Sequence, residues 1–328
     1  MVEIESQSTF IAIKWLVIRR IAKIERMRRM SIKEWDSDPV ASFAQWADDR
    51  GYSAKTINVY RSVFLAYVDF IENAGYRLSS TTETLLSNFM KDRGLRDQTQ
   101  KRYLMMFSWI FSDMFDAKLV DDNPATSLLA RIRRTRKGKV AKRLPVSLSE
   151  SEVDAFIASL PESPKFFSDM RRKAILLTLL GCGLRVQELC NLKVAHIHLD
   201  DLHPWMHVIG KGDKERNVPI PDSLVPVLID YRAMLPVTTG YFFGTLRKKF
   251  SVPYTGSGIY RCVQKALKDA GIVKQKMSPH ILRHTFATRQ LQAGKPIAVL
   301  KAWMGHDQLA TTLIYEHVTA ARTGVRPV

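Results

Sequence analysis

The chain has 328 residues, of which 46% are hydrophobic, and it carries a formal net charge of +18 at pH 7. A chain of this length and hydrophobic content is predicted to fold into about two domains with buried cores, which excludes a mostly disordered protein. The excess of basic over acidic side chains favours a polyanionic partner, above all nucleic acid, over charge carried only for solubility.

Residues 1–35 are predicted to form an N-terminal extension that contains an amphipathic helix. Its apolar stretch from Phe10 to Ile18 is far shorter than the ~20 residues of a membrane span. Glu3 and Glu5 near the start, with no small-residue cleavage site after the apolar stretch, argue against a secretory signal. We therefore expect a cytoplasmic protein with no membrane partner.

Residues 36–131 have helical periodicity throughout and predict a bundle of four to five helices. The clearest helix begins after Ser53, and its inward stripe is aromatic and aliphatic. That stripe is predicted to be core and consists of Ile57, Tyr60, Phe64, Tyr67 and Ile71.

Residues 132–146 are predicted to be a basic linker between two domains. Eight of the thirteen positions from Arg131 to Arg143 are Arg or Lys. Such a run cannot bury itself, so it is either solvated or lies on a polyanion. We interpret it as a strap across DNA, with Arg134 and Arg136 as candidate contacts; a nuclear-import signal is the alternative.

Residues 147–328 are predicted to form the second domain. Ser149 and Glu152 have the spacing of a capping box that would begin its first helix. A helix that ends in an apolar segment then leads into Gly181 and Gly183, which permit a sharp turn. Arg185 follows this turn, and Glu188 is close enough in sequence to orient its guanidinium.

The segments His196–Leu199, Trp205–Ile209 and Arg216–Ile220 alternate or are rich in β-formers, and they predict a three-stranded antiparallel sheet. Lys211 lies in the second turn between two glycines, and Lys214 is close by. The cysteines of the domain, Cys182, Cys190 and Cys262, form no CxxC pair, and we expect them to be reduced and buried.

The stretch from Ser278 to Tyr315 combines imidazole, guanidinium and phenol groups at short intervals. Ser278 and Pro279 predict the start of a helix, with Ser278 as its cap. His280 and Arg283 then share one face of that helix. A second short helix is predicted from Pro296 to Gly305, followed by His306 and by a last helix, 308–317, that carries Tyr315.

These motifs resemble the tyrosine recombinase (phage integrase) family, and they occur in that family's order over roughly residues 36 to 320. The resemblance implies a mainly α-helical protein with a small antiparallel β-sheet. In it a helical core-binding domain and a mixed α/β catalytic domain would clamp the DNA duplex. The matching catalytic positions are Arg185, Lys211, His280, Arg283, His306 and Tyr315.

The resemblance also implies a role for each of these groups. Tyr315 would attack phosphorus to form a covalent 3′-phosphotyrosyl link, while Arg185 and Arg283 hold the charge on the non-bridging oxygens. His280 would be the general base and His306 a donor to the scissile phosphate. The general acid for the 5′-oxygen would be Lys211, with Lys214 as a conceivable substitute. No metal, nucleotide or other cofactor is expected.

The expected partner is double-stranded DNA that contains a specific recombination site. A protein that is monomeric in solution would assemble as a homotetramer on two duplexes, exchange strands through a Holliday junction and act at the bacterial nucleoid. The tail, 316–328, is expected to pack on a neighbouring subunit. Candidate DNA contacts outside the catalytic set are Lys55, Thr56, Arg61, Lys101, Arg134, Arg136 and Lys214.

Two other functions remain open at this point. A type IB topoisomerase shares the nucleophile and the arginines but relaxes DNA without exchanging partners. A DNA-binding accessory protein could keep the fold and have no cleavage activity. For a recombinase, the task could be integration and excision, or resolution, of a mobile element or replicon.

Overall fold

The computed structural model describes residues 31–135 and 146–306. These residues form two compact units, one on each side of the gap. Within both ranges, no helix combines the length and the hydropathy needed to cross a membrane.

The first unit is a helical bundle, as the periodicity predicts. Its core is strongly aromatic: Phe43 stacks on Phe64, and Tyr67 makes edge-to-face contacts with Phe89 and Phe107. The Tyr67 hydroxyl is buried and lies 3.1 Å from the Thr81 hydroxyl, so the polar end of the ring has a hydrogen-bond partner. The helices α1 to α6 are Ile32–Ser37, Pro39–Asp48, Ala54–Asn73, Glu83–Asp92, Asp97–Asp116 and Pro124–Thr135.

The bundle begins earlier than predicted. Helix α1 starts at Ile32, inside the range 1–35 expected to be an extension, and Ser31 with Glu34 forms a capping box at its start. Trp35 on this helix is fully buried and packs edge-to-face against Phe64. Burial of the indole therefore makes α1 part of the bundle, and residues 1–30 lie outside the described residues.

The bundle also ends later than predicted. Helix α6 continues through Thr135, so the first four positions of the predicted linker, 132–135, are helical. Ile132 packs on the core of the first unit, and this apolar contact favours continuation of the helix. Arg134 on its last turn is exposed, and residues 136–145 of the predicted linker, including Arg136, lie outside the described residues.

The second unit contains seven helices of the described range, α7 to α13, and a small sheet. Ser149 and Glu152 form the predicted capping box at the start of α7. Val153 and Phe156 form the buried face of α7, whereas Ile157 next to Phe156 is 44% exposed. The helices are Glu150–Ala158, Phe167–Cys182, Val186–Asn191, Val225–Ala233, Gly256–Asp269, Pro279–Gln292 and Ile297–Met304.

The predicted three-stranded antiparallel sheet is present, with strands β1 (Ile197–His198), β2 (Trp205–Ile209) and β3 (Glu215–Pro219) in the order β1-β2-β3. The register pairs Met206 with Val218, and both side chains are buried on the core face. The β2–β3 turn therefore presents Lys211 at its exposed tip.

The turn after α8 requires glycine. Gly183 has φ +62°, and a Cβ there would overlap the ring of Phe286 on α12. Helix α8 is thereby held close to α12, while Cys182 and Cys190 are buried as predicted and Cys262 is partly exposed. All three cysteines are free thiols.

We expect Gly183→Ala to destabilise the protein by about 2–5 kcal/mol. The left-handed backbone costs an alanine ~1–2 kcal/mol, and displacing a packed ring costs ~1–3 kcal/mol more. Urea unfolding measures the difference. The matched control is Gly271→Ala, because Gly271 has φ +69° and open space where a Cβ would be; equal losses in the two variants would contradict the role of Phe286.

Candidate active site

The buried guanidinium of Arg283 is at the centre of the site. Its helix, α12, begins with Pro279 at the first helical position, as predicted, but the Ser278 side chain makes no capping hydrogen bond. Arg283 is only 4% exposed, and it donates to the carbonyl oxygens of Gly183 at 2.5 Å and Met304 at 2.6 Å. These carbonyls hold the planar group in one orientation.

Arg185 lies directly after the Gly183 turn, as the sequence predicts. Its Nη1 donates to Glu188 Oε1 at 2.7 Å, which confirms the local pair expected from their spacing. Its Nη2 donates to the carbonyl oxygen of Gly305 at 2.8 Å, a contact that the sequence did not predict. A guanidinium has five N–H donors, so Arg185 retains donors for a bound anion.

Glu188 is the shared acceptor of the site. Its side chain is buried, and Arg216 on β3 binds both carboxylate oxygens, at 3.1 and 2.8 Å. Burial alone would raise the pKa of Glu188, but the hydrogen bonds and charge of Arg216, with those of Arg185, lower it below the usual value. The carboxylate is therefore charged and orients two guanidiniums.

The sequence predicts Arg216 only as the first residue of a strand, because its role in the site depends on contacts with residues far away in the chain. Its Nε donates to the carbonyl oxygen of Trp303 at 2.7 Å, across 87 positions of sequence. In the sequence, Arg216 is one of several charged residues beside the glycine-rich hairpin, and nothing there distinguishes it from Lys214 or Glu215.

Three successive carbonyls at the C-terminus of α13 thus each accept a hydrogen bond from a different arginine. Trp303 binds Arg216, Met304 binds Arg283, and Gly305 binds Arg185. The last carbonyls of a helix have no partner within the helix and carry partial negative charge, which favours cations there. Gly305 ends the helix with φ +61°, as predicted.

The tip of the β2–β3 turn contributes Lys211 to the same site. A cleft of about 840 Å³ is lined by residues of this turn, by Arg185 and by the end of α13. Lys211 and Lys214 are both exposed, and Gly212 and Asp213 between them have positive φ, which folds the turn tightly. The candidate residues that line the cleft are Arg185, Lys211, Lys214 and His306.

The imidazoles of the site are held neutral at pH 7. Burial, with the charges of Arg283, Arg185 and Arg216, lowers the pKa of His306 to about 4. Burial, the neighbouring His280 and Arg283 lower the pKa of His284 to about 4 as well. The pKa of His280 is also lowered, by burial and then by the charges of Arg283 and Arg185.

These depressed pKa values predict an acid-sensitive fold. In the unfolded chain, His284 and His306 bind protons below pH 6.5, whereas in the folded protein they remain neutral down to about pH 4. Protonation therefore favours the unfolded state, and stability falls as the pH drops from 6.5 to 4. The free energy of unfolding is expected to fall by up to about 2 kcal/mol for each of these two groups between pH 7 and pH 5.

Urea titrations at the two pH values measure this loss. The double variant His284→Gln and His306→Gln retains every other titrating group, so it should lose less stability over the same interval. An identical loss in the double variant and the original protein would contradict the assignment.

The remaining candidates are distributed differently. Tyr315, its predicted helix and the tail lie outside the described residues, as does Arg136. In the first unit Lys55 and Arg61 on α3 are exposed, and Lys101 on α5 is partly buried. The Thr56 hydroxyl lies 3.0 Å from the Ser53 hydroxyl at the start of α3, so Thr56 takes part in helix capping.

Over the described ranges, no group of three or more His, Cys, Asp or Glu side chains has an arrangement that could hold a metal ion. The site instead gathers permanent cations around a single buried carboxylate. Such a site suits a phosphate oxyanion, because guanidinium groups donate in a fixed fork and stay protonated.

The second unit matches the model of the phage integrase family over residues 147–322. Among curated relatives, the tyrosine recombinase XerD of Proteus mirabilis is 32% identical over 84% of this chain and 87% of its own length. The tyrosine recombinase XerD of Yersinia pestis is 31% identical over 89% of this chain and 96% of its own length.

Solved structures show the same fold. The recombinase XerH bound to palindromic difH, a post-cleavage complex, aligns with a TM-score of 0.65 at 24% identity and covers 87% of this chain and 82% of its own. A lambda integrase dimer bound to a COC′ core site aligns with a TM-score of 0.63 at 16% identity, over 91% and 80% of the two chains. The mainly helical fold with a small antiparallel sheet is thereby confirmed.

Proposed function

This chain belongs to the phage integrase family of tyrosine recombinases, and from that premise we propose that it cleaves and rejoins DNA through a covalent 3′-phosphotyrosyl intermediate. The family and its relatives make the chain a site-specific DNA recombinase. The intermediate, the residues that form it and the assembly on DNA are the finer parts of the proposal.

The observation that carries the proposal is the set of three arginines on three successive carbonyls of α13. Arg185 and Arg283 come from separate segments, and the same helix end fixes both. In the proposed reaction they bind the non-bridging oxygens of the scissile phosphate. Negative charge grows there in the transition state, and one such preorganised donor typically supplies about 2.7–4 kcal/mol.

The proton transfers follow from the protonation states. The phenol oxygen of Tyr315 forms a bond to phosphorus while the bond to the 5′-oxygen breaks. Neutral His280 is able to accept the phenolic proton, because its lowered pKa leaves one ring nitrogen unprotonated at pH 7. Lys211 gives a proton to the departing 5′-oxygen, and neutral His306 donates an N–H to the phosphate.

Reversal of this step with the 5′-hydroxyl of another strand exchanges DNA strands. We place this exchange in a homotetramer on two duplexes, through a Holliday junction, in the cytoplasm where the nucleoid is accessible. In this proposal residues 147–328 are catalytic, and the first unit binds the duplex through Lys55, Thr56, Arg61, Lys101 and Arg134. Integration, excision or resolution of a mobile element or replicon would all use this chemistry.

Covalent trapping tests the proposal. The full chain is incubated with nicked duplex fragments of the DNA that flanks its own gene, in EDTA and without ATP, and denaturing gels detect a protein–DNA adduct. We expect an adduct joined to a DNA 3′-end that leaves a free 5′-hydroxyl. Binding without any adduct would instead support an accessory protein, and relaxation of supercoiled plasmid without partner exchange would support a topoisomerase.

A further inference from the structure

A second basic cleft lies in the same unit, outside the residues assigned to cleavage. It has a volume of about 640 Å³ and no carboxylate among its lining residues. From Tyr231 to Lys268 the chain contains no Asp or Glu at all, so the surrounding segment does not neutralise the charge. The lining residues are Arg171, Thr245, Leu246, Arg247, Lys248 and Tyr254.

Arg171 forms the fixed wall of this cleft. Its guanidinium lies 4.5 Å from the centre of the Tyr254 ring and 5.3 Å from that of Phe167, and it donates to the carbonyl oxygen of Gly244 at 3.2 Å. Stacking on aromatic faces holds the planar guanidinium in place and uses none of its N–H donors. Among the described residues, no carboxylate forms an ion pair with Arg171.

The opposite wall is the loop that carries Arg247, Lys248 and Lys249, which are all exposed. Its backbone is unusual, because Lys249 and Phe250 are consecutive non-glycine residues with positive φ, 43° and 61°. The buried ring of Phe250 packs directly against Gly244, where a Cβ would overlap it. Phe250 thus anchors a strained loop that presents three successive cations to solvent.

Tyr254, which lines the cleft, is close in sequence to a residue that contacts the neighbour of Arg185. Helix α11 begins two residues after Tyr254, and a Cβ on Gly256 at its start would lie 3.3 Å from Val186, the residue after Arg185. Thr255, Gly256 and Ser257 between the two sites are small, exposed residues. This short segment therefore links the cleft to the residue next to Arg185 without adding an acidic side chain.

We propose that the basic cleft binds the sugar–phosphate backbone of the same DNA strand region that enters the cleavage site. The proposal rests on the proposed function, since it extends the path of the DNA that Arg185 binds. Arg171 and Cys182 lie near opposite ends of α8, and a rise of 1.5 Å per residue separates them by roughly 17 Å. The cleft and the Gly183 turn that precedes Arg185 are therefore at opposite ends of one helix.

The test is the salt dependence of binding to a duplex of arbitrary sequence, measured by fluorescence anisotropy on the full chain. The variant combines Arg247→Gln, Lys248→Gln and Lys249→Gln. A matched control removes the same charge from exposed lysines elsewhere in the unit and combines Lys268→Gln, Lys276→Gln and Lys295→Gln. Thermal unfolding of both variants verifies that the fold is retained.

Each lost phosphate contact should reduce the slope of log K against log salt by about 0.9. We expect a reduction of about 2–3 in the loop variant and little change in the control. Equal reductions in the two variants, or none in the loop variant, would overturn the proposal. This measurement needs no cleavage, so it is independent of the adduct assay. A chain that forms no adduct can still be tested for DNA binding by the cleft.

Discussion

Tyr315→Phe is expected to abolish covalent adduct formation while leaving DNA affinity unchanged. The substitution removes one oxygen atom, and in the proposed mechanism that oxygen is the atom that bonds to phosphorus. Phenylalanine has the same ring and no charge at neutral pH, so binding to DNA has no reason to weaken. Loss of a nucleophile reduces turnover by on the order of 10⁴-fold or more, which on a suicide substrate means no detectable adduct.

The measurement is adduct yield on a nicked duplex, with affinity measured separately on an intact one. Tyr260→Phe is a suitable control, because Tyr260 is an exposed tyrosine of the second unit, on α11. It should form adduct at the original rate. An adduct that persists in Tyr315→Phe would show that another residue is the nucleophile.

Glu188→Gln is expected to lower both the stability and the cleavage rate. The carboxylate is 3% exposed and accepts hydrogen bonds from Arg185 and Arg216. An amide of the same shape cannot balance the charges of the largely buried Arg216 and the partly exposed Arg185. Removal of one partner from a buried ion pair costs about 3–5 kcal/mol. Cleavage should fall as well, because Arg185 loses the group that orients it.

Urea unfolding measures the first effect, and single-turnover cleavage at saturating DNA on the folded protein measures the second. Asp200→Asn is the matched control, because Asp200 binds Arg232 through both oxygens on the exposed surface, away from the cleft. It should change neither quantity measurably. Glu188→Asp, which keeps the charge, should recover part of both losses; a Glu188→Gln protein that unfolds and cleaves like the original would contradict the role of Glu188.

The two effects have one structural origin. Glu188 holds Arg185 and Arg216, and these arginines bind the end of α13 together with Arg283. His306 follows that helix end directly, so its position depends on the same contacts. We therefore expect that substitutions which disturb the arginine cluster also disturb His306.

Local features of the fold could be predicted from the sequence because they depend on interactions between residues that are close together in the chain. The capping box of Ser149 and Glu152, the left-handed glycine at Gly305 and the three strands each depend on residues a few positions apart. The pair of Arg185 and Glu188 belongs to the same class, with its members three residues apart. The errors have local causes too: the predicted ends of the first unit neglected the buried Trp35 and the packed Ile132.

The sequence by itself determined the family, the mainly helical class and the identities of the candidate catalytic groups, because those depend on residue types in a fixed order. Only the tertiary structure decided that Arg216 shares Glu188 with Arg185 and that three arginines end on three successive carbonyls of one helix. Those partners lie 21 to 120 positions apart in the chain. Hydrogen bonds over such separations form only once the packing of helices has brought the backbone of α13 to the guanidiniums. No periodicity or spacing in the sequence predicts which backbone groups come together in this way.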